Sequence, residues 1–261
     1  MGDWQALGLL FDQAPGDWSA CVQLPGGETV YAYAADQIRP AASLIKVPLA
    51  MALIDAAHGR LPSAQKIDLD RAVTLREEDR VEGDGAFDAA PVGTVRTLHE
   101  LIGHTLRESD NTAGNLLIVA IGMDAVNDYV RAAPLALQTT RLQRRFMDVA
   151  AAAAGRENLT TAREMCAIFA TLLSREQDFA PILAYLKCSP YTERLVAGLP
   201  ARTVVAHKVG DLDGIAHDAG VVYHPQETYI VALLSTHLPD VSSGNRTMEQ
   251  ASRLIFQRMI R

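Results

Sequence analysis

A chain of 261 residues, 49% hydrophobic and 21% charged, can bury a substantial core, which excludes a disordered polypeptide. Its formal net charge of −7, with no basic run and 6% aromatic residues, argues against a nucleic-acid-binding surface. Cys21, Cys166 and Cys188 are widely spaced and form no Cys-x-x-Cys or Cys/His cluster, so no metal site is expected. Three reduced thiols are the simplest expectation, with one disulfide left open.

Residues 1–12 read as a short amphipathic helix with no basic leader, long apolar core or small-residue cleavage site. No signal peptide is therefore expected in this chain, and its location stays open between the cytoplasm and export by a leader outside it. Residues 18–24 and 29–34 alternate like two strands, joined through Pro25-Gly26-Gly27. Helical periodicity dominates from Ala41 to about Leu186, and no run is long enough to span a membrane. Residues 203–209, 219–223 and 228–234 read as three more strands. A last helix is expected over 245–260, with Met248, Ala251, Leu254, Ile255 and Met259 as its apolar stripe.

Strands at both ends of the chain must meet to hide their apolar faces. The expected fold is α+β: an antiparallel sheet of about five strands covered by helices, with an inserted all-helical region. Residues 1–40 and 190–261 would form the sheet domain and residues 41–189 the helical one.

Three short motifs carry chemistry. Ser43-Leu44-Ile45-Lys46 puts a hydroxyl and an amine one helical turn apart at the start of an uncharged helix. A serine attacks at neutral pH only if a base takes its proton, and a lysine serves only if burial or a second cation lowers its pKa. Taken alone, Ser43 as a helix cap and Lys46 as a snorkelling surface residue is the plainer account. Ser109-Asp110-Asn111 sits at a helix-to-helix junction, where such residues commonly cap. His207-Lys208-Val209-Gly210 follows a β-branched run and brings a second amine.

In this order and at these separations, the three motifs resemble the Ser-x-x-Lys, Ser-Asp-Asn and Lys-x-Gly set of class A β-lactamases and related penicillin-binding proteins. Asn115-Leu116-Leu117 after the second motif, Thr140-Arg141-Leu142 and Leu159-Thr160-Thr161 at the ends of an omega-like loop (140–161), and Asp218 extend the likeness over nearly the whole chain. The resemblance implies that Ser43 is acylated, with Lys46 as proton acceptor and Ser109 as relay to the departing nitrogen. It implies that Lys208 holds Ser109 and a substrate carboxylate in a positive field. Backbone N–H groups of Ser43 and Asp211 would form the oxyanion hole, Gly210 would let the chain pass close to the substrate, and Asn111 would bind the substrate amide and fix Lys46. No cofactor is needed, the partner is a small β-lactam, peptide or ester, and a monomer is expected.

The sequence also departs from that pattern. Counting from Thr140 puts the omega-loop glutamate position on Phe146, and counting from Ser109 puts it on Arg145. The asparagine that would hold the hydrolytic water falls on Val149 or Ala150. Asp148 is the only carboxylate between Arg144 and Ala150, and stands either as a substitute base or as an ion-pair partner of Arg144 or Arg145, with Glu157 as a further partner. Val209 supplies no hydroxyl between Lys208 and Gly210, and Ala216 stands where many members place an arginine. His207 and His217 could replace part of that charge, though strand-face roles are the simpler expectation. The leading expectation is a β-lactam hydrolase with weak deacylation. The alternatives are a penicillin-binding sensor that stays acylated, or a D-alanyl peptidase or esterase.

Overall fold

The computed structural model describes residues 4–259 apart from Asp84, Ala133 and Pro225. Residues 1–3 and 260 of the two expected terminal helices lie outside that range. In chain order, helix α1 (Trp4–Gln13) precedes strands β1 (Asp17–Gln23), β2 (Thr29–Tyr33) and β3 (Arg39–Pro40). A 3-10 turn (Ala42–Ile45) runs into α2 (Lys46–Ala57), followed by β4 (Ala72–Thr74), β5 (Val95–Thr97), α3 (Leu98–Arg107), α4 (Asn111–Ile121) and α5 (Met123–Arg131). Then come α6 (Val149–Ala153), β6 (Leu159–Thr160), α7 (Ala162–Ser174), α8 (Ala180–Lys187), β7 (Val204–Leu212), β8 (Ile215–Tyr223), β9 (Tyr229–Thr236) and α9 (Val241–Met259).

The main sheet has five strands in the order β2-β1-β9-β8-β7, each pair antiparallel, so chain ends far apart in sequence become neighbours through β1 and β9. Strand alternation gives the sheet two apolar faces. Trp18, Ala20, Val22, Val231 and Leu233 meet Leu7 and Phe11 of α1 and Met248, Ala251 and Ile255 of α9 on one side. Cys21, Ala206, Ala219, Ala232 and Leu234 join the core of the helical region on the other, with Leu53, Leu101 and Phe169. Cys21 and Cys166 are free and buried in that core, and Cys188 is free and exposed. Among the described residues no helix is long and apolar enough to cross a membrane.

Several boundaries differ from the expectation. Strand β8 starts at Ile215, four residues earlier than alternation indicates, because its first turn of sequence hides polar side chains: His217 and Asp218 are fully buried. Helix α9 starts at Val241, where Asp240 Oδ1 accepts the Ser243 N–H at 2.7 Å, ahead of a glycine that reads as a breaker. The region from 41 to 186 also contains strands, since β4 pairs with β5 and β6 returns to β3. Ladders of two or three residues leave no periodic trace in a sequence.

The register of β7 against β8 decides where Lys208 points. Gly220 lies opposite His207, and a Cβ there would meet the Ala206 carbonyl oxygen and come within 2.6 Å of His207 Cβ. Gly220→Ala is expected to lower stability by about 2 kcal/mol through overpacking, read from the urea midpoint; an unchanged midpoint would show that the two strands can part at no cost.

Candidate active site

Ser43 lies on the 3-10 turn and Lys46 opens α2, so the two side chains leave one continuous helical stretch. The plainer account of the motif fails here. No side-chain capping bond forms at this N-terminus, and Lys46 is fully buried with 0% exposure. Two non-glycine residues beside Ser43 and Lys46 hold left-handed backbone conformations, Ala42 with φ 45° and Ser109 with φ 59°. Such conformations cost energy and persist where surrounding structure dictates them.

Lys46 Nζ donates to the Ser109 carbonyl oxygen at 2.6 Å and to Asn111 Oδ1 at 2.7 Å, and Ser109 Oγ lies 3.4 Å away. A neutral amine has two N–H donors and one lone pair, so the two short bonds consume the donors and leave the lone pair to accept a proton. Burial, and then the charge of Lys208, hold the Lys46 pKa well below the ordinary lysine value, while Asp110 and Asp88 pull the other way. The two lysines therefore sense one another. Lys208, also buried, donates from Nζ to the Val209 carbonyl at 3.0 Å, and burial brings its pKa down to about 7 against the opposing pull of Asp211 and Asp218.

The second motif divides its work. Asp110 caps α4 by accepting the Ala113 N–H at 2.8 Å, while its other oxygen accepts N–H groups of Phe87 and Asp88, each at 2.9 Å. Burial and the adjoining Asp88 carboxyl push the Asp110 pKa up to about 6. Asn111 spans the site, with Oδ1 on Lys46 and Nδ2 donating to the Glu82 carbonyl at 3.0 Å. In the third motif, a Cβ at Gly210 would stand 3.1 Å from the Ser43 backbone nitrogen, so glycine lets β7 close on the turn that carries Ser43. That approach brings the backbone around Ser43 and Asp211 together. Val209 borders a cavity of about 240 Å³ with Ser43, Ser109, Asn111, Tyr191 and Asp211. A larger cavity of about 380 Å³ also touches Ser43, Asn111 and Asp211, and its wall includes Phe146, Met147 and Ile215.

The omega-like loop is clamped at its neck. Arg144 and Glu157 form a bidentate pair, with bonds of 3.0 and 3.1 Å. Asn158 Oδ1 accepts the Gln143 and Arg144 N–H groups at 2.7 and 3.1 Å, and Glu164 accepts the N–H groups of Gln138 and Thr139, each at 2.9 Å. The Asn115 side chain then grips Phe146 by both backbone groups, at 2.8 and 3.0 Å, and turns its ring to within 4.4 Å of Lys46 Nζ. Phe146, rather than the exposed Arg145, is thus the loop residue beside the amine.

The structure places the Asp148 carboxylate apart from Ser43. Its carboxylate caps α6 by accepting the Ala151 N–H at 2.9 Å, and it borders a separate cavity with Glu78, Asp79 and Arg145 that Ser43 does not touch. Its other expected role, pairing with an arginine, falls for Arg144 to Glu157. The two histidines do not replace the missing cation either. His207 Nδ1 is engaged by Asp218 at 2.8 Å. In His217, Nδ1 lies 2.8 Å from the Ala216 carbonyl oxygen and 3.1 Å from the Ser235 nitrogen, Nε2 lies 2.8 Å from the Pro40 carbonyl oxygen, and burial lowers its pKa to about 4, so the ring is neutral. A buried cation that sequence reasoning missed, Arg194, lies behind them and pairs with Asp211. No periodicity or motif marks Arg194, because its partners stand on β7, β8 and α9.

Comparison with known proteins agrees with this geometry. The Beta-lactamase enzyme family matches residues 4–259. A β-lactamase of Streptomyces fradiae is 30% identical over 246 residues, covering 89% of this chain and 78% of the relative. Among solved structures, the β-lactamase of Sphaerobacter thermophilus superposes with a TM-score of 0.86 at 27% identity over 98% of both chains. The reconstructed class A β-lactamase of the last common ancestor of Gram-negative bacteria gives 0.86 at 27% identity, again over 98% of both. With buried Lys46 between the half-buried Ser43 and Ser109 on this sheet and helical frame, the chain belongs to the Beta-lactamase enzyme family and is a serine hydrolase of the class A type.

Proposed function

We propose that this protein hydrolyses β-lactam amides through an acyl-enzyme on Ser43, with attack better provided for than release. The observation that carries this reading is Lys46, wholly buried, with both amine donors engaged by the Ser109 carbonyl and Asn111. Ser43 Oγ attacks the lactam carbonyl and its proton passes to Lys46 Nζ. Backbone N–H groups of Ser43 and Asp211 receive the developing oxyanion, where a single such donor is worth on the order of 3 kcal/mol. Ser109 passes a proton to the ring nitrogen as the C–N bond breaks, leaving an ester on Ser43. Water then cleaves that ester and restores the serine. The named activity of the relatives favours this turnover over a module that remains acylated. All the groups invoked come from one chain, so a monomer suffices.

Release is the weaker half. Phe146 stands beside Lys46 where a carboxylate would hold the hydrolytic water, and a ring can neither orient water nor take its proton. Penicillin is expected to add its mass to the wild type, visible in an intact-mass time course, and the adduct should decay slowly. Ser43→Ala should show no adduct, and an adduct on that variant would remove Ser43 from its role. Asp148→Asn is expected to leave adduct decay within about twofold of the wild type, since asparagine caps a helix about as well. A tenfold slower decay would restore Asp148 as the base.

The charge on Lys208 sets a pH limb. Its pKa of about 7 means that the positive field is present below that pH and lost above it, so the acylation rate should fall as pH rises through about 7. Lys208→Arg stays charged and should abolish that fall up to about pH 9. A wild-type profile flat across neutrality would show that the Lys208 charge does not act on the rate.

A further inference from the structure

Glu108, Glu157, Asp211 and Asp213 border the two cavities with Arg144 as the cationic lining residue, and Glu108 is paired with Arg107 and Glu157 with Arg144. The site's other guanidinium, Arg194, borders neither cavity. It donates from Nε to Asn245 Oδ1 at 2.7 Å, from Nη1 to the His217 carbonyl at 2.7 Å, and from Nη2 to the Asp211 carboxylate. Of these three partners only Asp211 lines the cavities, and its side chain is 45% exposed while that of Arg194 is 6% exposed. A carboxylate of the chain itself therefore stands between the open site and its permanent cation.

We propose that Asp211 is a specificity-determining internal counter-ion, whose carboxylate occupies Arg194 and turns the site away from substrates carrying a carboxylate beside the scissile bond, in favour of those neutral or cationic there. The proposal rests on the reading of Ser43 as an acylated nucleophile. An incoming carboxylate must either displace Asp211 from Arg194, leaving one anion unpaired, or bind beside it against like-charge repulsion. Val209 adds to the bias, since it offers methyl groups where a hydroxyl could have donated. Lys208 compensates only in part, because near neutral pH roughly half of it is charged. Removing the Asp211 charge would also weaken the field that keeps Lys208 protonated, a loss that an anionic substrate repairs and a neutral one does not.

The test compares acylation by benzylpenicillin and by its methyl ester, in the wild type and in Asp211→Asn. A second pair of probes, the phenylacetate esters of 3-hydroxybenzoic acid and of phenol, asks the same question without a lactam. Asp211→Asn should raise the ratio of kcat/KM for the acid to kcat/KM for its neutral partner by on the order of tenfold, mostly through KM for the acid. The gain should vanish when Arg194→Gln is combined with it. Asp211→Ser, too short to reach Arg194, repeats the measurement should the asparagine variant fold poorly. Equal changes on acid and neutral probes, or no change on either, overturn the proposal. If neither penicillin acylates while both esters are cleaved, the β-lactam reading fails and the ester pair still decides the role of Asp211. If no probe reacts, both fall.

Discussion

The chemistry depends on burying one amine, Lys46, beside a second, Lys208. Taking an ammonium out of water is costly, and a second cation nearby raises that cost further, so both shift the balance for Lys46 toward the neutral form. The fold arranges this by supplying the amine from the first residue of an apolar helix and the second cation from a strand that sequence places 162 residues away, since 208 − 46 = 162. Beneath them lie the two carboxyls Asp88 and Asp110, held by backbone N–H groups, with Asp110 pushed up by burial and by the adjoining Asp88. They moderate the field without bonding to the amine. Lys46 keeps contact only with neutral acceptors, the Ser109 carbonyl and the Asn111 amide oxygen.

The omega-like loop serves that arrangement from outside. A segment of this length would be mobile if left to itself. Here Arg144–Glu157, Asn158 and Glu164 close its neck, and Asn115 fixes the one residue that reaches the amine. Asn115 sits in α4, which the capping carboxylate of Asp110 begins. Loop, cap and lysine anchor are thus joined through one short helix, and disturbing α4 would move all three.

Much of this was legible in the sequence, and the limits have physical causes. Motifs at fixed local spacing show themselves because one helix, turn or strand enforces their geometry: Ser43 with Lys46, Ser109 with Asn111, and Lys208 with Gly210. Strands β1 and β9 show as mostly apolar runs of strand length, since both faces of each meet a core. Strand β8 was cut short because His217 and Asp218 look like surface residues until Pro40, Ser235 and His207 are seen to satisfy them. Arg194 and Asp88 left no signal at all. Each matters through partners from other elements, and a lone arginine or aspartate in a polar loop carries no mark of what will face it.

Phe146 shows how one position redistributes effort between the two halves of a reaction. A carboxylate about 4 Å from Lys46 would favour its protonated form by about 4 kcal/mol at an effective dielectric of 20. An aromatic face at 4.4 Å is worth only about 0.5–2 kcal/mol to a cation. Exchanging the first for the second leaves Lys46 more readily neutral in the resting site, and so, in the proposed reaction, a better acceptor of the Ser43 proton. The same exchange deprives the acyl-enzyme of the group that would activate water. A gain in attack and a loss in release are therefore two consequences of one ring, and any base restored at position 146 would have to weaken Lys46 as an acceptor in order to speed hydrolysis.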